Sequence, residues 1–147
     1  MALTVFDVAN YFLSGNYENT NLHLQKLVYC AQGFSLVTLD RPLFSEVIEA
    51  WQYGPVVPEL FMKYREYGYR VLPAPKKFNL DNFSDEEKVL LNELYYAYCG
   101  FDDWRLQELM ESNYPWKEAF ERGDSEISLE SMKEFFATQV ELNGGLF

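Results

Sequence analysis

Apolar residues recur along this chain at helical spacing nearly everywhere and at strand spacing in one short stretch. Thr4-Val5-Phe6-Asp7 has the spacing of a capping box, which predicts a first helix to about Leu13, ended by Ser14-Gly15-Asn16. From Asn21 to about Leu36, Leu24, Leu27, Val28, Ala31 and Phe34 form one apolar stripe, while Gln25, Lys26 and Gln32 lie off it. Asp40-Arg41-Pro42 reads as a turn. Leu43-Phe44 and Val47-Ile48-Glu49-Ala50-Trp51 have strand composition and predict a short irregular hairpin or paired extended segments.

The chain then turns sharply. Gly54 can take a backbone conformation closed to other residues, and Pro55 biases it away from the helical region. Pro58 suits the first turn of a new helix, predicted to run to Tyr67 with Leu60, Phe61, Tyr64 and Tyr67 on one face and Gly68 at its end. Residues 70–83 read as a surface connection. Ser84-Asp85-Glu86-Glu87 predicts a capped helix to about Cys99, with Leu90, Leu91, Leu94, Tyr95 and Tyr98 inward. Asp102 or Asp103 caps a short helix through about Met110, and Asn113-Tyr114-Pro115-Trp116 restarts the chain as far as Phe120. Ser128 caps the last helix, with Ile127 and Met132 spaced as a hydrophobic staple. Leu129, Met132, Phe136 and Val140 continue its face, and Asn143-Gly144-Gly145 ends it. The expected fold is therefore mainly α. It is one compact domain over 1–147, with about six helices and a small β-hairpin-like element around residues 43–53.

Composition agrees with that picture: 48% hydrophobic and 18% aromatic residues supply a core for one domain of 147 residues. No apolar run approaches the roughly 18 residues of a membrane span. Met1 to Leu13 lacks a basic residue and carries Asp7, unlike a signal peptide, so a cytoplasmic location is expected. The net charge of −11 sits wholly in the second half: residues 1–79 carry 7 acidic and 7 basic side chains, residues 80–147 carry 16 and 5. Such a surface repels nucleic-acid phosphates and attracts basic partners, or serves only for solubility. Direct nucleic-acid binding and membrane association are not expected. Lys63, Arg65, Arg70, Lys76 and Lys77 form the one basic cluster, offset by Glu66. It reads as an ordinary exposed face that could touch phosphate or an acidic partner.

Catalytic chemistry has few candidates. His23 is the only histidine, and Cys30 and Cys99 lie far apart in helical patterns, where they read as buried thiols. No phosphate loop, dinucleotide fingerprint, H-E-x-x-H, C-x-x-C or G-x-S-x-G occurs. Glu86-Glu87 and Asp102-Asp103 are explained by capping better than as an acid–base pair. No cofactor, no metal and no enzymatic activity are expected.

Read together, two stretches carry a resemblance. Leu24-Gln25-Lys26-Leu27-Val28-Tyr29-Cys30-Ala31-Gln32-Gly33 is one, and the run from Pro42 through Trp51-Gln52-Tyr53-Gly54-Pro55 to Leu60 is the other. With Leu106, Leu109, Pro115, Trp116 and Ala119, and with Met132 to Phe136, they resemble the Panacea-domain, or SocA-like, phage-associated family over nearly the whole chain. Where that family often places Thr-His before its Pro-Trp element, this chain has Met110-Glu111. The resemblance implies a mostly helical fold with a small β element. It also implies an antitoxin of a bacterial or phage toxin–antitoxin pair, which binds and neutralises a cognate protein toxin encoded beside it. Family toxins are diverse. One branch implies the alternative, an adaptor that delivers its toxin to an ATP-dependent protease, for which the Leu146-Phe147 tail is a pointer. An enzyme of unrecognised type using clustered carboxylates is the remaining alternative.

On this reading the candidate partner-binding residues are Lys26, Tyr29, Gln32, Trp51, Tyr53, Gly54, Pro55 and Trp116. A rigid turn would display Trp51, Tyr53 and Pro55 beside a polar helix edge formed by Lys26, Tyr29 and Gln32. Trp51 also reads as a core anchor, Gly54 and Pro55 as determinants of backbone shape. Tyr29, Gln32, Tyr53 and Trp116 suit an interface and an aromatic-rich core equally.

Overall fold

The computed structural model describes residues 3–98, 108 and 112–142. The six α-helices among them, numbered here in chain order, are α1 (Val5–Leu13), α2 (Asn21–Thr38), α3 (Pro58–Lys63), α4 (Asp85–Tyr98), α5 (Tyr114–Arg122) and α6 (Leu129–Leu142). Two strands, β1 (Glu49–Trp51) and β2 (Gly54–Val56), form an antiparallel hairpin. The expectations for Cys99, Asp102-Asp103, Leu106, Leu109, Met110-Glu111 and the segment from Asn143 to Phe147 lie outside the described residues.

Local chemistry starts the helices where the caps lie. The Thr4 N–H donates to Asp7 Oδ2 at 2.8 Å while the Asp7 N–H donates to Thr4 Oγ1 at 3.3 Å. The Ser84 N–H likewise donates to Glu87 Oε1 at 2.7 Å, and the Glu87 N–H returns to Ser84 Oγ at 3.2 Å. Each pair satisfies two backbone donors that a helix start leaves unpaired. Glu87 Oε2 also takes the Arg41 guanidinium at 3.0 Å, so both its oxygens are engaged structurally. Ser128 accepts from the Ser131 N–H at 3.1 Å, and the staple residues Ile127 and Met132 are both buried. Leu129, expected on the inner face of α6, is exposed, and Phe135 is buried instead.

α2 is the hub. α1, α3, α4, α6 and β2 all pack on it, and every residue from His23 to Leu36 is buried. Its apolar stripe faces the core as its spacing predicts. The positions off the stripe are covered as well, by the hairpin and the loop before it. At Gly33 a Cβ would fall within the van der Waals surface of the Phe136 ring, so α6 closes on α2 only because that position is glycine. Phe136 lies edge-on to Phe34 at 4.9 Å and to Tyr29 at 5.5 Å, which locks this contact.

The β element sits a few residues later than its composition suggests. Glu49 pairs with Val56, Ala50 with Pro55 and Trp51 with Gly54, across a loop of Gln52 and Tyr53. Leu43 and Phe44 are buried but belong to no strand, because a side chain of α2 takes their backbone groups. Pro55 has no N–H to give, and the Ala50 N–H turns outward to Ser125 O at 3.1 Å. With Ile127 N–H on Ile48 O at 2.9 Å and a bridge from Glu49 to Glu126, the segment before α6 covers the other edge of β1. Three-residue strands alone are marginal in water; held from both sides, these are fixed.

Candidate functional site

The hairpin is fastened to α2 by side-chain amides. Gln25 Oε1 accepts the Val57 N–H at 2.8 Å, and its Nε2 donates to Asn21 Oδ1 at 3.1 Å. Asn21 Nδ2 in turn donates to Phe61 O at 3.2 Å. Two helical turns on, Gln32 Oε1 accepts from the N–H groups of Leu43 and Phe44 at 2.8 and 3.3 Å, and its Nε2 donates to Phe44 O at 2.8 Å. Two buried glutamines thus hold both ends of the loop from Leu43 to Val57. Buried amides engaged this way stabilise one conformation, since any slip leaves several polar groups unpaired.

A second relay fixes the tryptophans. Tyr29, wholly buried, donates its hydroxyl to Asn113 Oδ1 at 2.7 Å. The same oxygen accepts the Trp116 N–H at 3.3 Å and caps α5. Trp116 Nε1 then donates to Trp51 O at 2.7 Å, while Trp51 Nε1 donates to Glu49 Oε1 at 2.8 Å. Burial pushes the Tyr29 hydroxyl well above its ordinary pKa and the Cys30 thiol up to about 12, so both stay protonated at neutral pH.

The result is a surface ridge. Trp51 meets Phe61 edge-on at 5.1 Å, and Trp116 stacks on Phe120 at 5.5 Å, with the Trp116–Trp51 hydrogen bond joining the two pairs. Tyr53 stands at the hairpin tip with 56% of its surface exposed. Trp51, Phe61 and Trp116 are half-buried and Phe120 is exposed. Aromatic rings held rigid and part-exposed make the kind of surface on which protein interfaces concentrate their binding energy.

The eight sequence candidates therefore fall into two layers. Trp51, Tyr53 and Trp116 lie on the ridge. Gly54 and Pro55 are buried in β2, and Tyr29 and Gln32 are interior groups that position other parts. Lys26 is 8% exposed and lies beneath the hairpin, where a Cβ on Gly54 would stand 3.8 Å from its Cε. The polar helix edge expected to be displayed is covered: Lys26 lies under the hairpin, Gln32 under Leu43 and Phe44, and Tyr29 against Asn113 and Phe136. Gly54 has φ +121°, so its backbone rather than lack of space calls for glycine. Sequence reasoning missed Asn21, Gln25 and Asn113 as positioning groups, and Phe61 and Phe120 on the ridge. The spacing of Trp116 and Phe120, one turn apart on a helix, was the available signal for the last.

Among the described residues, no three His, Cys, Asp or Glu side chains are grouped to hold a metal ion, and no helix is long and apolar enough to cross a membrane.

Residues 24–117 match the family described as "Antitoxin SocA-like, Panacea domain". The chain belongs to this family. The Panacea match begins within α2 and ends just past Trp116, so it takes in the fastened loop, the hairpin and both tryptophans. The chain is also similar to Antitoxin SocA of Caulobacter vibrioides (strain NA1000 / CB15N), at 45% identity over 60 residues. That stretch is 40% of this chain and 32% of the relative, about a third of its length. No solved structure matches the chain.

Proposed function

We propose that this protein is a cytoplasmic antitoxin that neutralises a cognate protein toxin, encoded by the adjacent gene, by direct stoichiometric contact. The docking surface is the aromatic ridge of Tyr53, Trp51, Phe61, Trp116 and Phe120. The observation that carries the reading is that the family match takes in a hairpin whose tip presents an exposed tyrosine on a base fastened to α2. Such a surface has little conformational freedom left to lose on binding. The reading calls for no cofactor and no turnover.

Co-expression of the neighbouring gene product with wild type and with Tyr53→Ala tests it. The neighbour alone should arrest growth, wild type should restore growth and co-purify with it, and the variant should bind roughly 30-fold more weakly, about 2 kcal/mol. A harmless neighbour, or rescue without a complex, overturns the reading. Rescue that vanishes when an ATP-dependent protease is removed replaces it with the adaptor mechanism.

A further inference from the structure

Two of the cations between residues 63 and 77 rest on aromatic rings rather than on carboxylates. Among the described residues the ion pairs join Arg41 to Glu87, Arg122 to Asp124 and Lys133 to Asp40. Lys63 instead lies 5.3 Å from the centre of the Phe6 ring and 5.4 Å from that of Tyr64. The Arg70 guanidinium sits 5.3 Å over the Tyr67 ring, its Nε donating to Tyr67 O at 3.2 Å and its Nη2 to Glu66 O at 2.9 Å. Lys77 reaches the same first turn of α1 as Lys63, lining a cavity of about 300 Å³ with Asp7 and Asn10. Arg65 is exposed between them in sequence.

A cation fixed by rings and carbonyls keeps its charge uncompensated, and it has already given up the freedom it would lose on binding. Lys63 and Arg70 are two such side chains, and with Arg65, Lys76 and Lys77 they stand against a single acid, Glu66, within this stretch of sequence, in a protein whose net charge is −11. Tyr69, 85% exposed, and the exposed Met62 and Val71 stand among them, and Tyr, Met and Arg are enriched at protein interfaces. We propose that this face docks an acidic segment of a partner protein, its carboxylates meeting Lys63, Arg65 and Arg70 and an apolar side chain resting on Tyr69. Nucleic acid fits less well. The rings of Phe6, Tyr64 and Tyr67 already carry cations, which leaves bases only Tyr69 to stack on, and a long polyanion would cross the acidic surface of residues 80–147. The inference stands whether or not the hairpin ridge binds a toxin.

Fluorescence anisotropy with the full-length protein decides it, using a labelled peptide of repeating Asp-Glu-Leu, its Asn-Gln-Leu counterpart and a single-stranded RNA of similar length. The acidic peptide should bind more tightly than its amide counterpart and should weaken as salt rises. Lys63→Gln with Arg70→Gln should weaken it about tenfold, and Lys117→Gln, on α5, should not. Arg65→Gln, an exposed side chain, should weaken it severalfold, and carries the test if the double variant melts early. Equal binding of the two peptides, equal loss in Lys117→Gln, no loss in Arg65→Gln, or tighter binding of RNA through the same cations overturns the proposal.

Discussion

α2 and the hairpin resting on it show two opposite uses of polar and aromatic side chains. Along α2, Gln25, Tyr29 and Gln32 are buried and spend their hydrogen bonds on the protein's own loops. On the hairpin, Trp51 and Tyr53 keep ring surface exposed while the segments flanking them are held from below at Val57 and from the side at Ala50. The difference teaches that identical residue types divide into support and presentation according to what covers them. Support should fail in stability measurements, presentation in binding measurements.

Alkali tests the support layer most severely. Tyr29 and Cys30 hold their protons far more tightly when folded than in the open chain, whose thiol titrates near 9 and whose phenol near 10. The contribution of Cys30 is fully present below about 9 and is lost as pH rises toward about 12, and that of Tyr29 is likewise present below its ordinary value and lost in alkali above it. Circular dichroism should show cooperative unfolding in that window, and a Cys30→Ala variant should unfold at higher pH. An alkaline limb unchanged in the variant would show that Cys30 does not contribute.

Gln32→Leu comes next. It strands the N–H groups of Leu43 and Phe44 and the Phe44 carbonyl, at a cost of about 3–5 kcal/mol by denaturant melts. A cost near zero would show that the loop finds other partners. Gly33→Ala should cost about 1–3 kcal/mol by forcing Phe136 away, and the loss should shrink in a Phe136→Leu background. Gly54→Val tests the border between the layers: φ +121° is strained for a β-branched residue, so about 1–3 kcal/mol should be lost. An unchanged melting midpoint with lost binding would move Gly54 into the presenting layer. Tyr53→Ala should have the smallest effect on stability, within about 0.5 kcal/mol, while weakening partner binding. Substantial unfolding would make Tyr53 part of the support.

The candidate site was legible only in part. Trp51 and Tyr53 stand out because large amphipathic rings flanking a Gly-Pro turn need both burial and a hydrogen bond, and Trp116 stands out through the resemblance. Lys26, Tyr29 and Gln32 drew notice for the wrong geometry: polar residues off an apolar stripe suggest a wet edge, and here a distant segment covers that edge. Phe61 and Phe120 were hidden among an abundance of aromatic residues, 18% of the chain. Only their pairing with Trp51 and Trp116 sets them apart.

By itself the sequence determined where the described helices begin, although the helix expected from Pro58 to Tyr67 ends at Lys63. A capping box such as Thr4 with Asp7, or Ser84 with Glu87, closes within four residues and needs no other part of the chain. The same holds for the stripe from Leu24 to Phe34 and for the demand for glycine at position 54. Only the tertiary structure decided that α2 is covered on every side, that the strands pair at Glu49–Trp51 and Gly54–Val56, and that Trp116 reaches Trp51. Those outcomes depend on contacts between residues tens of positions apart. Periodicity records which faces are apolar; it does not record which of the polar faces another segment will cover and satisfy.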